Sequence, residues 1–158
     1  MSKEHHYKLS AKWHGNKGTG TSSLKAYDRS HTVSINNKPD LYLTTDNPQV
    51  GDKTKLNPED LLLTAVASCH MLSYLYVCAM EGIVVTDYID NATGVMIEKK
   101  EGGGQFKEII LNPVVTVAEQ ATLAKSIELH HKAHEICYIA NSVNFEVKNN
   151  PVSKVEHD

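Results

Sequence analysis

At 158 residues the chain is sized for one domain, and it is long enough to bury a core without disulfides, since chains of this length bury about 70% of their unfolded surface. A net charge of -3 leaves no basic excess for a phosphate backbone, so nucleic acid is not an expected partner. Three cysteines, at 69, 78 and 137, are odd in number and too widely spaced for a disulfide scaffold, and the opening "MSKEHHYKLS" lacks the apolar core of a secretory signal; the expectation is a cytoplasmic protein with reduced thiols.

The first forty residues alternate in short runs, "HHYKLSAKWHG", "TSSLKAY" and "HTVSINNK", which read as three antiparallel strands with a turn at "GNKGTG". Residues 44–56 are rich in turn formers and read as a loop. Asn57 then caps a helix with Pro58 at its first position and Glu59 and Asp60 in its first turn, and the helix is expected to run to Glu81 and stop at Gly82. Two β-rich runs, "IVVTDYIDNATGVMIEKK" and "QFKEIILNPVVTVA", joined by "EGGG", suggest a long hairpin, with Pro113 marking an edge or a bulge. Residues 119–139 have helical periodicity and "NSVNFEVKN" closes as a strand. The expected order is β-β-β-α-β-β-α-β, an α+β fold in one domain over residues 1–150, with residues 151–158 as a loose tail.

Leu61 to Met80 is twenty residues without Asp, Glu, Lys or Arg, long enough for a bilayer. Thr64, Ser68, His70 and Ser73 at its middle, and acids in place of basic anchors at its ends, favour a buried core helix and no membrane partner. Such a helix is about 36 Å long, against about 40 Å for the width of a compact domain of this size. One subunit can hardly wrap both ends, which points to a homodimer.

Among candidate chemical groups, Cys69 lies too deep in the helix for the dipole alone to activate it, so it is either an inert core thiol or a thiolate paired with a cation. Cys78 fits the inert description. Cys137, at the end of the later helix, stands where it can meet Cys69 across a helix contact, as in a transient disulfide. His130, His134 and Cys137 share one helical stripe, a possible soft-metal arrangement without a CxxC or HExxH signature; no metal or other cofactor is expected. Arg29 is the only arginine among sixteen basic residues. It is either a surface strand residue or the guanidinium that holds a thiolate and a peroxide oxygen. Glu59 suits a helix start whatever the function.

Together, "NPEDLLLTAVASCHMLSYL" and "AHEICYIANSVNFEV" resemble the two cysteine motifs of the OsmC/Ohr superfamily, across nearly the whole chain, and most closely its OsmC-like putative redox branch. The resemblance implies an intertwined homodimer with long central helices packed against antiparallel sheets. It also implies a thiol peroxidase that reduces organic hydroperoxides with a dithiol reductant such as a lipoyl group or lipoylated protein. By motif match Cys69 is peroxidatic, Cys137 resolving, and Glu59 orients the arginine. The arginine positions of the founder members fall in "GNKGTG" and "TTDNPQ", neither of which holds one, so Arg29 is the available guanidinium and Lys17 the alternative. Glu59 and Cys69 are ten residues apart, about 15 Å along a helix, so a shared site requires Glu59 from the partner subunit or a broken helix. Competing expectations on the same fold are a non-enzymatic redox sensor or ligand binder, and a metal-binding protein.

Overall fold

The computed structural model describes residues 3–155, which form an α+β protein of nine strands and two α-helices in two compact units, up to Leu62 and from Leu63. In the amino-terminal unit β1 (Ser10–Trp13), β2 (His31–Ser34) and β3 (Leu41–Leu43) make an antiparallel sheet in the order β1-β2-β3. The expected strand at "TSSLKAY" is absent: apart from an isolated bridge between Asn16 and Tyr27 the segment is turn. The Asn16 side chain accepts the N–H groups of Gly18 and Gly20 at 2.9 and 3.0 Å, fixing a turn where a ladder would have run. The third strand is instead Leu41–Leu43, just before the expected loop.

Helix α1 (Pro58–Met80) is unbroken, starts as expected and ends one residue before the expected Glu81, at the Gly82 turn. The Asn57 side chain accepts the Asp60 N–H at 2.8 Å while the Asp60 carboxylate accepts the Asn57 N–H at 3.2 Å, a reciprocal capping box. At the other end Gly82 has φ +73°, and the Ile83 and Gly82 N–H groups reach back to the carbonyls of Cys78 and Ala79 in a Schellman turn. By length and a mean hydropathy of 1.7, α1 also meets the criterion for a membrane span.

The carboxy-terminal unit contains two three-stranded sheets. β4 (Val85–Asp90), β7 (Pro113–Val117) and β9 (Val152–Val155) form one, in the order β4-β7-β9; β5 (Thr93–Glu98), β6 (Gly104–Leu111) and β8 (Glu146–Asn149) form the other, in the order β5-β6-β8. Each has one antiparallel and one parallel pairing. Both β-rich runs therefore break, at Asn91–Ala92 and at Asn112, and a third break falls at Asn150–Pro151. The breaks are bonded to one another. Asn112 donates its N–H to Asp90 Oδ1 at 2.8 Å and its amide to the Asn91 carbonyl at 3.0 Å, while the Asn150 N–H donates to the Leu111 carbonyl at 2.9 Å. An asparagine corner thus turns one three-stranded ribbon into two sheets. Pro113 is neither at an edge nor at a bulge: it opens the central strand β7, a position where its missing N–H is tolerated. The loose tail expected from residue 151 is corrected in part, because Val152–Val155 pair with β7; residues 156–158 lie outside the described residues.

Helix α2 (Leu123–Ile136) is preceded and followed by short 3-10 turns, Gln120–Thr122 and Ala140–Ser142, and Cys137 is its C-cap. Its buried stripe, Ser126, Leu129, His130 and Ala133, has the i, i+3, i+4, i+7 spacing of a core face. Leu129 and Ala133 join Tyr74, Val77 and Cys78 of α1 and Val115 and Val117 of β7 in the principal core cluster. Because a Cβ at Gly82 would meet no neighbour, the cost of Gly82→Ala is that of the left-handed backbone alone. Chemical denaturation should show a loss of about 1–2 kcal/mol for this variant.

Candidate functional site

The three cysteines carry free thiols, Cys69 half-buried, Cys78 and Cys137 buried. Cys69, near the middle of α1, and Cys137, at the end of α2, face each other closely enough that the Cys69 thiol is one of the groups acting on Cys137. Burial first, and then Cys69, hold the Cys137 thiol above its ordinary range, partly offset by the backbone N–H of Ala140. Cys137 therefore rests as a protonated thiol beside Cys69. Cys78 packs in the core cluster, where burial raises its pKa, as befits a structural residue.

Beside the thiols lies a buried polar cluster that sequence alone did not pair. His70, the residue after Cys69, is 1% exposed, and its Nε2 lies 3.0 Å from Nδ1 of His130 on α2, itself 2% exposed. The Asn149 amide nitrogen, at the end of β8, lies 2.7 Å from the same His70 nitrogen. The Tyr74 ring stacks on His130 with centroids 3.8 Å apart, and its hydroxyl donates to the Ser126 carbonyl at 3.1 Å. His70 Nδ1 and His130 Nε2 are buried without a hydrogen-bond partner among the described residues. Of the two N–H protons of the neutral pair, one lies in the N···N contact and the other is on a ring nitrogen without an acceptor among the described residues. A third proton would make a second such N–H and bury a charge, so both rings are held neutral. Burial accordingly depresses His70 to about 4 and His130 to about 3, with like-charge repulsion from His134 and from His70, respectively, as the smaller cause.

Two members of the His130, His134 and Cys137 stripe are engaged with α1. His130 is committed to His70 and Cys137 faces Cys69. Among the described residues no group of three or more His, Cys, Asp or Glu side chains is placed to hold a metal.

The other candidates belong to the amino-terminal unit. Arg29 is half-buried; its guanidinium donates to the Tyr27 carbonyl at 2.8 Å and lies 4.0 Å over the Tyr27 ring. That uses one of its five N–H donors. Lys17 is exposed and contributes a weak through-space attraction on Asp28. Glu59, in the first turn of α1, has a buried Oε2 without a partner among the described residues. With α1 unbroken between Glu59 and Cys69, a broken helix is not the way these two residues share a site.

Of the side chains near Cys69 in sequence, Tyr74 is core, whereas Leu72, Tyr76 and Met80 form an exposed i, i+4 stripe, 60%, 59% and 70% accessible. Met71 lines a groove of about 360 Å³ with Leu63, Ala67, Tyr88 and Asp90. The groove's α1 residues lie well around the helix from Cys69 at 100° per residue, so it is not the approach to that thiol.

Three comparisons bear on the chain. A family model described as OsmC-like protein matches residues 51–150. The uncharacterised Bacillus subtilis protein YmaD is 24% identical over 148 residues, covering 92% of this chain and 91% of that one. Among solved structures, an OsmC-like protein of unknown function from Vibrio cholerae is 26% identical with a TM-score of 0.84, covering 94% of this chain and all of that one. An organic hydroperoxide resistance protein from Elizabethkingia anophelis has the same fold at 19% identity and a TM-score of 0.73, covering 98% of this chain and all of that one.

The depressed histidines fix a pH dependence. Unfolded, each binds a proton near pH 6.5, whereas folded they do so only near 4 and 3. Their contribution to stability is complete above about pH 6.5 and is lost as pH falls from there through the folded values. Denaturant midpoints measured from pH 7 to pH 4 should fall steeply in the wild type and less steeply in His130→Phe.

Proposed function

This chain belongs to the OsmC-like family, and on that premise we propose that it is a thiol-dependent peroxidase that reduces organic hydroperoxides. The observation that carries the reading is the placement of Cys137 against Cys69. The Cys69 thiolate attacks the distal peroxide oxygen, the O–O bond breaks, and the leaving oxygen takes a proton to depart as an alcohol. Cys69 is left as a sulfenic acid. The Cys137 sulfur then attacks the Cys69 sulfur, the S–O bond breaks, and water leaves with the Cys137 proton. A dithiol of the lipoyl class, free or on a lipoylated protein, restores both thiols by exchange and is itself oxidised to a disulfide.

The reading includes a cytoplasmic homodimer. Leu72, Tyr76 and Met80 give α1 an apolar stripe that a second subunit would cover, which supports a soluble dimer over a bilayer span. Glu59 and Arg29 would be offered to the neighbouring subunit's thiol. The partnerless Glu59 oxygen is the acceptor a guanidinium would meet there, and the spare donors of Arg29 suit that role. The resemblance of the fold to an organic hydroperoxide resistance protein favours an organic peroxide over hydrogen peroxide as substrate.

Purified protein should consume cumene hydroperoxide with dihydrolipoamide as reductant, and Cys69→Ser should abolish that turnover. Activity surviving in Cys69→Ser would remove the proposed nucleophile, while a wild type inert to several alkyl hydroperoxides would favour a sensor. Cys137→Ser should stop turnover with dihydrolipoamide yet still form a sulfenic acid trapped by dimedone. For the assembly, light scattering should give twice the chain mass for wild type and a monomer for Tyr76→Glu; a monomeric wild type at micromolar concentration would end the dimer proposal.

A further inference from the structure

The buried histidines have no part in the peroxidase cycle as written, yet they occupy the same α1–α2 contact as the cysteines. Cys69 and His70 are consecutive on α1. His130 and Cys137 are seven residues apart on α2, about two turns and so on one face. The two helices thus meet through two cross-pairs, one of sulfur and one of imidazole. An apolar contact here would hold the helices together but would not set their register, because apolar packing is not directional. A single N–H···N bond at 3.0 Å, backed by Asn149 at 2.7 Å and by Tyr74 stacked on His130, is directional and depends on how the two helices are aligned.

We propose that the His70–His130 bond, with Asn149, is the positioning element of the thiol couple: it holds α1 against α2 in the register that opposes Cys69 to Cys137, and it does so only while both rings are neutral. The inference rests on the thiol-couple reading above, but not on the identity of the oxidant. His70 and His130 act through the helices and donate no proton to sulfur.

The surroundings fit a neutral lock. Of the titratable groups around the pair, the charge acting on His70 is that of His134 and the charge acting on His130 is that of His70. Tyr74 on α1 and Tyr88 on β4 present aromatic rings to His130, and burial keeps both phenols protonated. Asp90, at the end of β4, acts on Tyr88 and on neither imidazole, so no carboxylate among the described residues stabilises an imidazolium here. Acid therefore puts charge into a site that cannot hold it, and the pair must separate. The thiols would lose their opposition before the global fold is lost.

The test is the equilibrium between the Cys69–Cys137 disulfide and dithiothreitol, which involves no peroxide, so a failed peroxidase reading leaves it interpretable. His130→Phe keeps a ring over Tyr74 and removes the bond. It should lower the equilibrium constant at pH 7 about five- to tenfold, as loss of one hydrogen bond implies, and His130→Gln should recover part of that. Measured against dithiothreitol at each pH, the wild-type constant should fall between pH 6.5 and 4, and that of His130→Phe should stay level. An unchanged constant in a folded His130→Phe, or a wild-type constant level over this range, overturns the proposal. Should His130→Phe fail to fold, imidazole NMR on the wild type decides: neutral, coupled His70 and His130 rings down to about pH 5 support the lock, and either ring titrating near its ordinary value of about 6.5 overturns it.

Discussion

A hydrogen-bonded pair of uncharged imidazoles between two helices is the constraint on which the candidate site depends. Burying two histidines is costly unless each finds a partner, and here each is the other's. Charging the pair would add a second unsatisfied N–H and bury a charge, so it is held neutral in the dry contact between α1 and α2. The same contact opposes Cys69 to Cys137 and keeps the Cys137 thiol protonated at rest. Tyr74 extends the arrangement toward the core by stacking on His130 and bonding the backbone of α2.

The sheets supply the remaining fixed point. Asn149 reaches His70 because β8 ends there, one residue before the corner at Asn150. The corner is itself held by Asn112, bonded to Asp90 and Asn91, so three chain breaks are tied at one level. The carboxy-terminal unit thus brings helix ends, sheet corner and thiols into one framework. A membrane-length helix with polar residues at its centre is part of it: His70 meets α2, Thr64 and Ser68 are exposed, and the exposed stripe of Leu72, Tyr76 and Met80 is left for the proposed second subunit.

What the sequence revealed follows the range of the interactions concerned. Helix α1 was legible at both ends because its signals are local: Asn57, Asp60 and Gly82 act within a few residues of the backbone they satisfy. Cys69 and Cys137 were legible through the two motifs that carry the family resemblance. The corner was not, because Asn112 and Asn150 look like ordinary turn formers until tertiary bonds tie them, and Pro113 gave a sound local signal that a start-of-strand position satisfies. β3 was overlooked because it is three residues long and sits beside a loop. His70 and His130 lie 60 residues apart, so nothing local pairs them. The spacing of His130, His134 and Cys137 correctly put them on one face but could not say whether that face meets a metal or another helix. Arg29 was singled out by being the only arginine, and the structure shows its local bond to Tyr27, a contact no composition count can supply.

The central claim of the proposed peroxidase is that Cys69 and Cys137 form a redox couple while Cys78 remains structural. The most direct measurement is peptide mapping by mass spectrometry after treating reduced protein with one equivalent of cumene hydroperoxide per chain. The account predicts a disulfide joining the Cys69 and Cys137 peptides and a free thiol at Cys78. Unoxidised Cys69, or a disulfide through Cys78, would contradict it.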